Sequence, residues 1–198
     1  MAFKDYFSAQ ARQYTQFRPR YPSTLFEYLS ALTASHDLAW DCGTGNGQAA
    51  GDLARFFDEV IATDPSASQL AYAEAHSNVQ YLVASAEECP LASHSVDLVT
   101  VAQAMHWFEL PTFYEQVRRV GRVGGVLAAW SYGLAQITPE VDTVVAWLYW
   151  DLLGAFWPPE RRLIEERYAT IWFPFEEVDR ARVFHEGRVE LRRILRVS

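Results

Sequence analysis

Five short apolar runs, separated by segments of helical periodicity, predict an α/β chain with a doubly wound, mostly parallel sheet. Two local features point the same way. The first run leads into the glycine turn Asp41-Cys42-Gly43-Thr44-Gly45-Asn46-Gly47, and the second ends on an acidic residue, Asp64. A strand feeding a glycine turn that opens a helix brings bare backbone against a ligand at the carboxyl end of such a sheet. With 198 residues, half of them apolar, the chain can bury one good core, so a single domain is expected.

In chain order, Ser8 to Tyr14 reads as a short helix, broken by Arg18-Pro19-Arg20-Tyr21-Pro22, where each proline biases its predecessor away from helix. Ser23 or Thr24 can cap a second helix with Leu25, Phe26, Leu29 and Leu32 on one face. The first strand is Leu38–Cys42. A helix through Leu53, Ala54, Phe56 and Phe57 leads to the second, Val60–Thr63. Ser66 can cap a helix carrying Leu70, Ala71, Ala73 and Ala75. The third strand is Val79–Val83, followed by a loop to Leu91; the fourth is Val96–Ala102, running into Gln103-Ala104-Met105-His106-Trp107-Phe108. Phe113–Val120 reads as a helix, Gly124-Gly125 as its stop and Val126–Trp130 as the fifth strand. Strands one and four then flank the topological switch point. Two helices follow, Glu140–Phe156 after Pro139 and Glu160–Tyr168 after Pro158-Pro159. Val183–Val189 reads as a strand and Glu190–Val197 as a helix-like run.

Composition narrows the function classes. A net charge of −8 argues against a general phosphate-backbone binder, so no nucleic-acid partner is expected. The most apolar segment, Val141–Trp157, is interrupted by Asp142 and Asp151 and is too short to span a bilayer, and no apolar leader follows Met1. No membrane association is expected. Cys42 and Cys89 show neither metal-ligand spacing nor a disulfide framework, so no metal and a reducing, cytoplasmic setting are expected. From Arg180 onward six arginines face two glutamates, a bias read first as a solvated surface.

The glycines fall at 43, 45 and 47, which is not the GxGxxG spacing of pyrophosphate-binding folds, and the one lysine, Lys4, is far from the turn. An acid at the end of the second strand can accept hydrogen bonds from both hydroxyls of a ribose, so Asp64 points to a nucleoside. Asp-x-Gly-x-Gly-x-Gly, the strand-two acid and the acid Glu87 after strand three together resemble the class I S-adenosylmethionine-dependent methyltransferases. The small-molecule subgroup that includes the trans-aconitate-methyltransferase-like proteins is the nearer match. It shares Tyr14-Thr15-Gln16-Phe17-Arg18-Pro19-Arg20-Tyr21-Pro22, His106-Trp107-Phe108 and the region from Trp157-Pro158-Pro159-Glu160-Arg161 to Phe173-Pro174-Phe175-Glu176-Glu177-Val178.

The resemblance implies a Rossmann-like fold and a cofactor, S-adenosyl-L-methionine, with S-adenosyl-L-homocysteine as product. It divides the chain into an N-terminal helical lid (1–35), a cofactor-binding core (36–133) and a helical substrate-side region (134–198). Gly43, Gly45 and Gly47 would line the methionine part. Asp41 would orient the loop and meet the cofactor's ammonium directly or through water. Asp64 would bind the ribose, Ser66 would border the adenine, and Ala86 with Glu87 would sit beside the adenine amino group. Gln103 and Ala104 would lie under the sulfonium, while Tyr14 and Arg18 would reach the cofactor from the lid. His106 and Trp107 are the catalytic candidates. The residues leave other roles open: Asp41 as a turn cap, Glu87 as a solvated charge, His106 as a loop-holding histidine, Trp107 as core, and Cys42 as a small packed hydrophobe.

A carboxylic acid acceptor is ionised near neutral pH, with an ordinary pKa of about 4, and would need no base; a hydroxyl or amine would make His106 useful as one. Arg18 and Arg20 are candidates for pairing with an anionic substrate or cofactor carboxylate. The competing reading is a non-catalytic nucleoside-binding or regulatory protein on the same fold. Relatives end in a further strand beside strand five, whereas here the chain is expected to stop short of it. That would leave a sheet edge unpaired or shielded by the arginine-rich tail, where two copies could associate as a homodimer.

Overall fold

The computed structural model describes residues 21–134, 137–179, 182–184 and 189–197. Five parallel strands are joined by short helices and, between β3 and β4, by a loop: β1 (Leu38–Cys42), β2 (Glu59–Asp64), β3 (Val79–Val83), β4 (Val96–Ala102) and β5 (Gly121–Ser131). The helices are α1 (Ser23–Ala31), α2 (Gln48–Leu53), α3 (Ala67–Leu70) and α4 (Leu110–Val120). Three antiparallel strands complete the sheet: β6 (Glu176–Asp179), β7 (Arg182–Phe184) and β8 (Val189–Arg196). Its order is β3-β2-β1-β4-β5-β8-β6, with β7 also on β8, so the mostly parallel, doubly wound fold is as the sequence predicts. The chain order reverses between β1 and β4, which makes their carboxyl ends the switch point.

Period-two alternation divides the core between the two faces of the sheet. On one face Trp40, Cys42, Val99, Val101, Leu127 and Ala129 pack against Phe113, Val117 and Val120 of α4. On the other, Ala39, Val60, Ala62, Leu98, Ala128 and Trp130 pack against α1 and α2 through Leu25, Phe26, Leu29 and Leu53. Trp40 donates to Thr63 Oγ1 at 2.9 Å. Trp130 is held edge-on by Tyr21 and Phe26. Cys42 is fully buried and burial pushes its thiol well above the ordinary range, so it packs as a small hydrophobe.

Several sequence expectations are corrected. Gly124-Gly125 does not stop the helix: α4 ends at Val120, and β5 runs on through the pair, with Gly124 in the left-handed region (φ +81°) where the register with β4 shifts. The helix expected over 66–75 is only the single turn of α3, and the helix expected over 140–156 is α5 (Pro139–Ala146), continued by a π-helical stretch over Trp147–Leu152 and a 3₁₀ turn over Gly154–Phe156. The largest correction is at the carboxyl end. Glu190–Val197 is not a helical run but most of β8, which lies antiparallel along β5 with Leu195 opposite Leu127 and Ile194 opposite Ala128. The last strand is therefore present, the edge of β5 is paired, and the reason for expecting association across it disappears. Of the strand expected over Val183–Val189, residues 182–184 form β7 and Val189 opens β8, while 185–188 lie outside the described residues.

Arg122 staples this frame. Its guanidinium bonds Asp37 (2.7 Å) and Asp97 (2.8 Å), and the other oxygen of the buried Asp97 accepts the amides of Asp37 and Leu38 at the entry to β1. Arg122→Ala should lower the unfolding free energy by about 1–2 kcal/mol, since it leaves a buried carboxylate without its charged partner. Asp37→Ala, which removes an exposed partner, should change it by less than about 0.5 kcal/mol. Urea unfolding checks the contrast, and equal losses from the two variants would contradict it.

Candidate active site

The carboxyl ends of β1, β2 and β4 border a cavity of about 1170 Å³. The turn after β1 follows from its glycines: Gly43, Gly45 and Gly47 all have positive φ, at +70°, +58° and +84°. The amides of Gly43 and Thr44 both donate to Thr63 O at 2.9 Å, which ties the turn to β2. A Cβ on Gly43 would stand 2.6 Å from Ala104 Cβ, and one on Gly47 would stand 2.5 Å from Tyr81 Oη. At Gly45 no described residue comes within 4 Å of that position. Gly43 and Gly45 stand on the cavity wall; Gly47 stands behind it, as the left-handed residue that opens α2.

Asp41 also lies behind the wall. It is 1% exposed, and its two carboxylate oxygens accept the hydroxyls of Thr44 (2.5 Å) and Thr100 (2.7 Å). Burial is the largest influence on it and pushes its pKa up to about 6, against the opposing pull of the two hydroxyls. These contacts make it an anchor between the turn and β4. Asp64 is on the wall, with Oδ2 accepting Gly45 N at 2.9 Å and Oδ1 accepting Ser66 N at 2.8 Å. Burial raises its pKa and the two amides pull it back. Ser66 is on the wall and caps α3 through Gln69 N. Ala86 and Glu87 follow, and Glu87 Oε1 accepts Glu109 N at 2.8 Å at the start of α4, so Glu87 ties two loops together.

Past β4, Gln103 adopts φ +57°, a conformation that costs a non-glycine residue about 1–3 kcal/mol and gathers at functional sites. Its amide donates to Trp130 O and its side-chain Nε2 to Tyr132 O, while the buried Oε1 has no partner among the described residues. Ala104, His106 and Trp107 continue the wall. His106 is buried, with Nδ1 3.1 Å from Tyr168 Oη and its ring 4.6 Å from that of Trp107. Tyr14 and Arg18, with Arg20, lie outside the described residues. The described residues contain no cluster of metal-ligating side chains, and none of their helices is long and apolar enough to cross a membrane.

Residues 40–129 match the methyltransferase domain family. A protein of Dictyostelium discoideum named as a methyltransferase is 43% identical over 182 residues, which is 90% of this chain and 69% of that one. The structure of an Anaeromyxobacter dehalogenans protein named as a type II methyltransferase is 49% identical, with a TM-score of 0.76 over 82% of this chain and 69% of that one. The chain belongs to the class I S-adenosylmethionine-dependent methyltransferases. A Saccharomyces cerevisiae protein named for S-adenosylmethionine-dependent methyl transfer is 31% identical over 140 residues, and there the match spans 47% of the relative's length.

The cofactor of this methyltransferase is S-adenosylmethionine, and three observations fit the wall to it. Gly45 offers backbone where a side chain would protrude, Asp64 stands at the end of β2, and Gln103 Oε1 is a buried acceptor awaiting a donor. The sequence reading missed several parts of the methyltransferase wall. Tyr21, Tyr132, Ile164 and Arg161 stand on it, while Thr100 and Tyr168 hold Asp41 and His106 from outside. A threonine within β4 and a tyrosine 62 residues from its histidine carry no local signal. Arg161 lay within a segment shared with the subgroup, and its place beside the site was not readable from spacing.

Proposed function

We propose that this methyltransferase acts on a small-molecule acceptor, with a carboxylic acid as the first candidate. The observation that carries the proposal is the size of the cavity. At about 1170 Å³ it exceeds the roughly 300–1,000 Å³ usual for one drug-sized ligand, which leaves room for an acceptor beside the cofactor. The wall beyond Gln103 supports the same reading, since Tyr21, Trp107, Phe108 and Tyr132 supply the flat apolar surfaces that enclose small organic molecules. The resemblance to the trans-aconitate-methyltransferase-like proteins favours an acid.

In this proposal Gly43 and Gly45 border the methionine part, with Gly47 shaping the turn and Asp41 holding it from behind. Asp64 binds the ribose hydroxyls, and Ser66, Ala86 and Glu87 surround the adenine. Gln103 and Ala104 lie beneath the sulfonium, and Tyr14 and Arg18 complete the site from the part of the expected lid (1–35) that precedes α1, since α1 itself packs in the core. The core 36–133 then holds the cofactor and the helices of 134–198 the substrate side, while β6, β7 and β8 from the same region complete the sheet. The cofactor supplies a methyl group on a positively charged sulfur, open to in-line attack. The protein's share is alignment and exclusion of water, which fall to Trp107 and the aromatic wall. A carboxylate acceptor needs no proton removed, so its turnover should stay level between about pH 6 and pH 8. For a hydroxyl or amine, His106, held at Nδ1 by Tyr168, is the candidate base.

Titration calorimetry with S-adenosylmethionine and S-adenosylhomocysteine, followed by labelled-methyl transfer to small carboxylic acids, phenols and amines, tests the proposal. Binding of the cofactor with transfer to acids supports it. Transfer to a protein or nucleic acid and to none of the small molecules would overturn it.

A further inference from the structure

We infer that Arg161 reads an anionic group on the methyl acceptor, distinct from the atom that is methylated. The inference rests on the small-molecule reading above. Arg161 opens α6 (Arg161–Glu165), and with Ile164, three residues on, it lines the same cavity as His106 and Trp107. Further along, Tyr168 holds His106, so one short segment both supports the histidine and presents the arginine.

The guanidinium is fixed in place. Its carbon lies 5.3 Å from the Tyr149 ring centroid and 5.2 Å from that of Trp157, and these two rings lie 4.9 Å apart. Arg161 Nε donates to Tyr149 Oη at 2.5 Å, and that hydroxyl donates onward to Glu165 at 3.0 Å. Nε is thereby used, while the two terminal nitrogens have no partner among the described residues. A planar fork with a braced Nε and two remaining donor nitrogens matches the geometry of a carboxylate or phosphate.

The described wall carries four carboxylates, so an anionic acceptor needs a cation of its own there. Arg161 is the one Lys or Arg among its described residues. Of the carboxylates there, Asp64, Glu87 and Glu109 are engaged by the amides of Gly45, Glu109 and Thr112, on the side of the β2 and β3 loops; Glu160, with its Oε2 buried, precedes Arg161 in the chain. Oxygens pinned in a two-point ion pair make a poor nucleophile, so the group held by Arg161 is not the one that receives the methyl. The acceptor therefore carries an anion in addition to its nucleophile, as a dicarboxylate or a phosphorylated acid does.

The test compares glutarate, its mono-amide, butyrate and glycerol 3-phosphate, by calorimetric binding to the S-adenosylhomocysteine complex and by methyl transfer. The wild type should prefer the doubly functional anions, and Arg161→Gln should cut the preference for glutarate over its mono-amide by about 10–100-fold, mostly through KM. Arg161→Lys keeps the charge without the fork and should regain only part of it. A preference for glycerol 3-phosphate would assign the group as a phosphate, one for glutarate as a carboxylate. A purely structural arginine would lower Tm in all variants and leave the preference unmoved, which would overturn the inference. A 10-fold or larger loss of S-adenosylhomocysteine affinity in Arg161→Gln would overturn it too, by placing the guanidinium on the cofactor. Should the wild type bind no cofactor, the proposed function itself falls. Should it methylate acids with no dependence on Arg161, only this inference falls.

Discussion

Gly43→Ala is expected to lower the affinity for S-adenosylhomocysteine by at least about 100-fold, and to lower Tm as well. Two costs act together. A left-handed φ of +70° costs an alanine about 1–2 kcal/mol, and the new Cβ would stand 2.6 Å from Ala104 Cβ, so the turn or the end of β4 must shift. Every 1.4 kcal/mol lost from binding is a factor of ten, and the displaced backbone is the part that meets the ligand. Gly45→Ala separates the two effects. Its φ is +58° and no described residue lies within 4 Å of the added methyl, so the folding cost should stop at about 1–2 kcal/mol. The methyl nevertheless enters the cavity and should still weaken cofactor binding by about 10-fold or more. Calorimetry on both variants, with melting curves alongside, reads the difference. Unchanged affinity in Gly45→Ala would mean that the turn does not hold the cofactor.

The second large effect is electrostatic and belongs to Asp41. Its pKa is about 6 in the folded protein against an ordinary 3.8, so between those values the folded chain binds more proton than the unfolded one. Its contribution to stability is fully present below about pH 4 and is lost as pH rises through 6. The size is roughly 3 kcal/mol, from about two units at 1.36 kcal/mol each. Asp41→Asn does not titrate and can still accept a hydroxyl proton. The stability of the wild type relative to this variant should therefore fall by that order between pH 4 and pH 7, measured by urea unfolding across the range. Parallel curves would show that Asp41 is not buried as a carboxylate. Asp41→Ala should lose stability at every pH, because the Thr44 and Thr100 hydroxyls lose their acceptor and the turn its tie to β4.

Most of the parallel sheet was legible because its signals are local. β1, β3 and β4 have the predicted bounds, and β2 extends one residue further at each end. Each is a short apolar run next to turn residues, and the backbone needs of Gly43, Gly45 and Gly47 are written into those positions themselves. The carboxyl end misled for a physical reason. Leu191, Ile194 and Leu195 have helical spacing, but in β8 Ile194 enters the core on one face of the sheet and Leu195 on the other. A strand buried on both faces loses the alternation that marks strands, and its pairing with β5 comes from residues some sixty positions earlier. Gly124-Gly125 misled similarly, since a left-handed glycine serves a bulge as well as a helix stop.

At the site the same division holds. The sequence by itself determined the Asp41–Gly47 turn, the acid at the end of β2 and the resemblance that named the cofactor, because each depends on neighbours in the chain. Only the tertiary structure decided that Asp41 faces two threonine hydroxyls from behind the wall, that His106 rests on Tyr168, and that Arg161 lies against two aromatic rings where it lines the cavity. Those roles are set by burial and by partners up to 62 residues away, which no spacing along the chain records.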